Sequence, residues 1–196
     1  MTFHPRHKWR GIHVIFFIKW IESLAFGPDG NLYVLSRGTS SVVRYNGQTG
    51  AFIDIFATIP GIYSSLFDMA FGPDNNLYIT DAGTNNIEYY NVQTGDHLGT
   101  FIHTGNSVND IDFGMDGNLY AHEGTDRILR YDGQSGNFID VFVSVKAGDF
   151  VFGPDDDLYV SLASGYGVNR YNGQTGTFIE TFNGGICPSP TGLAFS

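Results

Sequence analysis

LAFGPDGNLYV (Leu24–Val34), MAFGPDNNLYI (Met69–Ile79), IDFGMDGNLYA (Ile111–Ala121) and FVFGPDDDLYV (Phe150–Val160) state one pattern four times, and LAF at Leu193–Phe195 begins it again. The anchoring phenylalanines Phe26, Phe71, Phe113, Phe152 and Phe195 are separated by 45, 42, 39 and 43 residues. A period of about 40–50 residues is that of a β-propeller blade. Each copy opens with a short apolar strand, reverses through Gly-Pro-Asp-Gly or a close variant, and re-enters a strand at Leu-Tyr. Pro and Gly at the second and fourth positions of Gly27-Pro28-Asp29-Gly30 suit a type I turn. Turn chemistry therefore accounts for Asp29, Asp74, Asp116 and Asp155, which lack the ligand spacing of an EF-hand loop.

Working outward, a third strand ends in Arg44-Tyr45, Tyr89-Tyr90, Arg130-Tyr131 or Arg170-Tyr171 and runs into Asn46-Gly47-Gln48-Thr49-Gly50 or its equivalent, a hairpin loop. A fourth strand follows as AFIDIF, HLGTF, NFIDVF or TFIETF, with Asp54, Asp140 and Glu180 at matching places to protect an outer edge. The inner strands are apolar on both sides, as expected for sheets covered on both faces. No segment shows helical periodicity, which excludes helical repeats. The expected fold is all-β: a β-propeller of four-stranded antiparallel blades at about 22–65, 66–107, 108–146 and 147–190, with residues 191–196 opening a fifth. Two closures are open, a four-bladed ring or part of a larger propeller, and an incomplete ring predicts self-association through its uncovered faces.

Residues 1–21 form a separate basic and apolar segment. Its stretch from Ile12 to Ile18 admits a signal peptide or a strand, and the short run with no small-residue cleavage site favours the strand. It is too short to span a bilayer. Arg6, Lys8, Arg10 and Lys19 precede the first acid, so the remainder carries 6 basic against 20 acidic residues and should repel nucleic acid and anionic membrane. The series Arg44, Arg130 and Arg170 is read as blade packing and surface pairing. The single cysteine, Cys187, has no partner for a disulfide or a metal motif. An acidic, Gly- and Asn-rich propeller suggests a secreted or envelope protein.

In an up-and-down blade with strands A to D, the A–B and C–D turns share one face, and here they are nearly invariant. The B–C and D–A connections share the other face and vary in length and content, so binding is expected there. Three residues before each anchor stand Ser23, Asp68, Asp110, Asp149 and Gly192, ringing the channel mouth on the variable face. The three carboxylates have two readings: oxygen ligands to Ca²⁺ or Mg²⁺, or acceptors of backbone N–H groups in their own D–A turns. The ends of strand B carry Ser36-Arg37, Thr80-Asp81, His122-Glu123 and Ser161-Leu162. Of these, Ser23, Arg37, Asp81 and Ser161 are expected on the ligand face, and His122 with Glu123 is the general acid and base candidate. Because adjacent strand residues point to opposite sides, only one of that pair can share a pocket wall.

The run LAFGPDGNLYV followed by RYNGQTG resembles the NHL-repeat and gluconolactonase-like propellers and the related streptogramin lyases. The resemblance implies a divalent cation at the channel mouth in the gluconolactonase-like case, and Asp68, Asp110 and Asp149 match that placement. Such sites usually mix Glu and Asn with Asp, and nothing corresponding stands at Ser23 or Gly192. Streptogramin lyases typically carry Trp where this chain has Tyr33, Tyr78, Tyr120 and Tyr159. The leading expectation is a non-catalytic module that binds a protein, glycan or small molecule on the variable face. The alternatives are a metal-dependent hydrolase or lactonase and, last, a streptogramin-lyase-like enzyme.

Overall fold

The computed structural model describes residues 20–59, 65–163, 167–182 and 193. Among these residues sixteen strands form four sheets, each a plain meander in which neighbours in sequence are neighbours in the sheet. Blade 1 is β1 (Ile21–Phe26), β2 (Leu32–Ser36), β3 (Ser41–Tyr45) and β4 (Phe52–Thr58). Blade 2 is β5 (Leu66–Phe71), β6 (Leu77–Asp81), β7 (Asn86–Tyr90) and β8 (His97–His103). Blade 3 comprises β9 (Val108–Phe113), β10 (Leu119–Glu123), β11 (Arg127–Tyr131) and β12 (Phe138–Ser144); blade 4 comprises β13 (Ala147–Phe152), β14 (Leu158–Leu162), β15 (Val168–Tyr171) and β16 (Phe178–Phe182). Every pairing is antiparallel. Among the described residues the chain forms four blades of a β-propeller with strand A of each blade innermost, and the four inner strands line a central cavity of about 1120 Å³.

The repeated turn is built as its residues dictate. Asp29 accepts the Asn31 amide at 3.1 Å and the Tyr33 hydroxyl at 3.2 Å, and Asp74 and Asp116 do the same for their own blades. The motif glycine has a steric cause. A Cβ at Gly72 would lie 2.6 Å from the Tyr78 ring and 3.1 Å from Phe113, because the anchor phenylalanine of one blade packs over the tyrosine of the blade before it. Phe71 meets Tyr33 edge-on at 5.0 Å, Phe113 meets Tyr78 at 5.0 Å, and Phe152 meets Tyr120 at 4.7 Å. Each such pair is worth about 0.5–1.5 kcal/mol beyond its buried area. Within their own blades, Arg44 is bonded to Asp54, Arg130 to Asp140, and Arg170 to Asp155 and Asp157, as expected of surface pairs, and Arg130 also donates to the Gln174 carbonyl of the next blade at 3.4 Å.

One expectation fails in blade 1. Both faces of an inner strand should be covered, and Met69, Ile111 and Phe150 are nearly inaccessible, yet their equivalent Leu24 is 59% exposed and the anchor Phe26 is 65% exposed. The residues are the same type in the same register. What differs is the neighbour: β5 packs on β1, β9 on β5 and β13 on β9, whereas the leading face of β1 has no blade against it among the described residues. The expected strand at Ile12–Ile18, Cys187, Gly192 and Phe195 lie outside the described residues. Leu193 is described, and its amide donates to Asp149 Oδ2 at 2.7 Å.

Candidate functional site

The first inward-facing position of each inner strand carries Ser23, Asp68, Asp110 or Asp149, and the structure brings all four to the wall of the central cavity. Their principal bonds do not go to their own turns. Asp68 Oδ2 accepts the Ile111 amide of the next blade at 3.0 Å, Asp110 Oδ2 accepts Phe150 N–H at 2.9 Å, and Asp149 Oδ2 accepts Leu193 N–H at 2.7 Å. Asp68 and Asp110 thus latch their blades to the ones that follow, and Asp149 holds Leu193 in the same way, a tertiary role distinct from the turn acceptor that was one of the two readings. Blade stacking explains the change: the amide of the next inner strand lacks a sheet partner on that side, and a buried N–H needs an acceptor.

The remaining oxygens face one another. Asp110 lies within hydrogen-bonding reach of both Asp68 and Asp149, and the Ser23 hydroxyl reaches Asp68. Burial first, and then the charges of Asp68 and Asp149, push the Asp110 carboxyl well above its ordinary range, so it is the group that retains a proton and donates it. Burial also raises Asp68, against the bonds it accepts from Asp110 and Ile111. Asp112, which was not singled out from the sequence, belongs to the same wall. It accepts Phe152 N–H at 3.2 Å, and burial pushes it up to about 6. Its signal was available, because Asp112 stands where Ala25, Ala70 and Val151 make the inner strand apolar.

As a cation site the cluster offers one committed and one shared oxygen per carboxylate, fewer than the roughly 6–8 oxygens Ca²⁺ takes unless several waters join. Among the described residues, no group of three His, Cys, Asp or Glu side chains is arranged to hold a metal ion.

The acid and base candidates are separated by strand alternation. Glu123 is buried against the D–A loop, accepting Asn106 N–H at 2.6 Å. His122 points to the other side, into the cleft between blades 3 and 4, and burial lowers its pKa. Arg37 pairs with Glu22 at 3.0 Å and lies over Trp20, while Asp81 caps its own turn through Gly83 N–H at 3.0 Å. Ser161 donates to the Asp149 carbonyl at 3.2 Å. The strand-B alignment also needs correction in blade 1. Ser36 pairs with Ile21 as Asp81 pairs with Leu66 and Glu123 with Val108, so Ser36 matches Asp81 and Arg37 lies one residue beyond.

No protein-family model matches the chain, and no curated protein matches it. Solved structures do. A putative gluconolactonase shares 16% identity at a TM-score of 0.73, over 88% of this chain and 66% of that one. A chain of the nidogen/laminin complex shares 18% at 0.69, over 81% and 63%. Catalytically inactive virginiamycin B lyase from Staphylococcus aureus, with quinupristin, shares 12% at 0.68, over 87% and 57%. The chain therefore spans between about half and two thirds of the length of these structures. At such identities the likeness is one of fold, and it establishes this chain as a β-propeller built like those of the gluconolactonases, the streptogramin lyases and nidogen.

Proposed function

We propose that the chain is a binding module that engages its ligand on the variable face, through the B–C and D–A loops. The observation that carries this reading is how the candidate catalytic groups are spent. Glu123 is tied into a loop, His122 faces away from it, and the three channel carboxylates each hold a backbone amide outside their own blade. His122 and Glu123 share no pocket wall, while the loops that differ between blades share one face. Propellers of this build serve both uses: nidogen is in complex with laminin, and the lyase is with quinupristin. Among the described residues no helix is long and apolar enough to cross a membrane.

The test is amide chemical-shift mapping of the labelled chain against a library of soluble glycans and small organic acids. The expected shifts fall in 37–40, 82–85, 104–107, 124–126 and 145–146. Shifts confined to the invariant A–B and C–D turns, or none, overturn the proposal.

A metal-dependent hydrolase or lactonase is the second reading. It is favoured by the convergence of Asp68, Asp110 and Asp149, where a cation would replace the proton that Asp110 now holds. Calorimetric titration with Ca²⁺ and Mg²⁺ tests it: micromolar binding that Asp110→Ala abolishes supports a channel cation, and no heat with either ion removes it.

A further inference from the structure

The residue of strand B that faces the channel acid is Leu35 opposite Ser23, His122 opposite Asp110 and Ser161 opposite Asp149, and Thr80 holds the place in blade 2. The two hydroxyls are satisfied locally. Thr80 Oγ1 accepts the Asp68 amide at 2.9 Å, and Ser161 Oγ donates to the Asp149 carbonyl at 3.2 Å. His122 breaks the series. It is only 3% exposed, and neither ring nitrogen has a hydrogen-bond partner. An unpaired buried polar group costs about 1–3 kcal/mol, and the sibling blades avoid that cost with Ser or Thr. Blade packing alone thus gives no reason for an imidazole here.

The ring lines a cleft of about 370 Å³ between blades 3 and 4, open on the variable face, with Asn109, Thr125, Lys146 and Ala163 among its walls. That is within the size range of small-molecule sites, roughly 300–1,000 Å³. Among the described residues, Arg37, Arg44, Arg127, Arg130 and Arg170 each have a carboxylate within 4.0 Å, and Lys146 is the one side-chain cation that has none. Burial lowers its pKa and favours the neutral imidazole, against the charges of Asp126 and Asp149 and a contact with the Thr125 backbone that falls short of hydrogen-bond geometry. A neutral ring offers one donor and one acceptor, the complement of a hydroxyl, and the Asn109 amide has the same double capacity. The ammonium of Lys146 is the complement of a carboxylate.

We propose that this cleft binds a small hydroxylated carboxylate of the sugar-acid type, its carboxylate on Lys146 and a hydroxyl on His122. The proposal rests on the binding-module reading and names its site and ligand class. The experiment titrates the labelled full chain with D-glucuronate, and with D-glucose and propionate as comparators that lack the carboxylate or the hydroxyls. D-glucuronate is expected to move the His122 ring resonances and to bind about tenfold or more tightly than either comparator. Lys146→Gln should bring it to the level of glucose. His122→Ser installs a side chain that blade 4 already carries, so it should fold, and it should weaken D-glucuronate about tenfold. Unmoved His122 resonances beside shifts elsewhere on the variable face overturn this site and leave the binding module standing. Wild-type affinity in His122→Ser overturns it as well. Silence toward all three probes and the glycan library overturns both.

Discussion

Truncation of the anchor phenylalanines distinguishes a covered blade face from an open one. Phe71 sits edge-on to Tyr33 at 5.0 Å and against the space left by Gly27, so Phe71→Ala removes a ring from a filled interface. Core Phe→Ala changes cost about 3–5 kcal/mol, and the half-buried setting of Phe71 puts it near about 3. Phe26 occupies the same place in blade 1 with 65% of its surface exposed. With only about a third of the burial to lose, Phe26→Ala should cost about 1 kcal/mol or less. At roughly 2–4 °C per kcal/mol for a chain of this size, the two variants should melt about 4–8 °C apart. Urea denaturation at low and high protein concentration is the assay, with the midpoint and slope fitted for each variant. Equal losses, at every concentration, would mean instead that the leading face of β1 is packed in solution. A Phe26→Ala cost that appears only at high concentration would identify a second copy as the cover.

Other consequences follow from the channel and the motif glycine. The Asp110 carboxyl is raised in the folded state, so its contribution is fully present below about pH 3.8 and is lost as pH rises through the folded value. Asp110→Asn keeps a neutral acceptor for Phe150 N–H, so its melting temperature should exceed that of the wild type at pH 7.5 and the gap should close toward pH 4; a gap that widens on acidification would contradict the assignment. Gly72→Ala places a Cβ 2.6 Å from Tyr78 and should cost about 1–3 kcal/mol by denaturant titration, a result refuted by wild-type stability. Arg44→Gln breaks a partly exposed pair with Asp54 and should cost no more than about 1 kcal/mol.

The blade plan was legible because its information is local. Gly27-Pro28-Asp29-Gly30 and Asn46-Gly47 fix turns whose residues satisfy one another, and the spacing of the phenylalanines fixes the period. What the sequence left open depends on stacking. Asp68 and Asp110 read as turn caps or cation ligands, and their actual targets, the amides of Ile111 and Phe150, are about 40 residues away and adjacent only once blades pack. Leu24 and Phe26 read as core, since nothing in their own strand records whether a neighbour covers them. The misplacement of Arg37 by one residue shows how strict the register is, because a single-residue slip exchanges the two faces of a strand. His122 was legible as chemistry and its setting was not: the missing hydrogen-bond partners emerge only from the walls of the cleft.

One time-resolved NMR experiment reads both binding and the lack of turnover. The labelled chain, with Ca²⁺ present, is mixed with D-glucuronolactone, and the lactone, its opened acid and the protein resonances are followed together. Lactone opening is expected at the buffer rate, with shifts at Asn109, His122, Thr125 and Lys146 that grow as the acid accumulates. Opening faster than buffer, lost in Asp110→Ala, would contradict binding without turnover and move the function to the channel carboxylates.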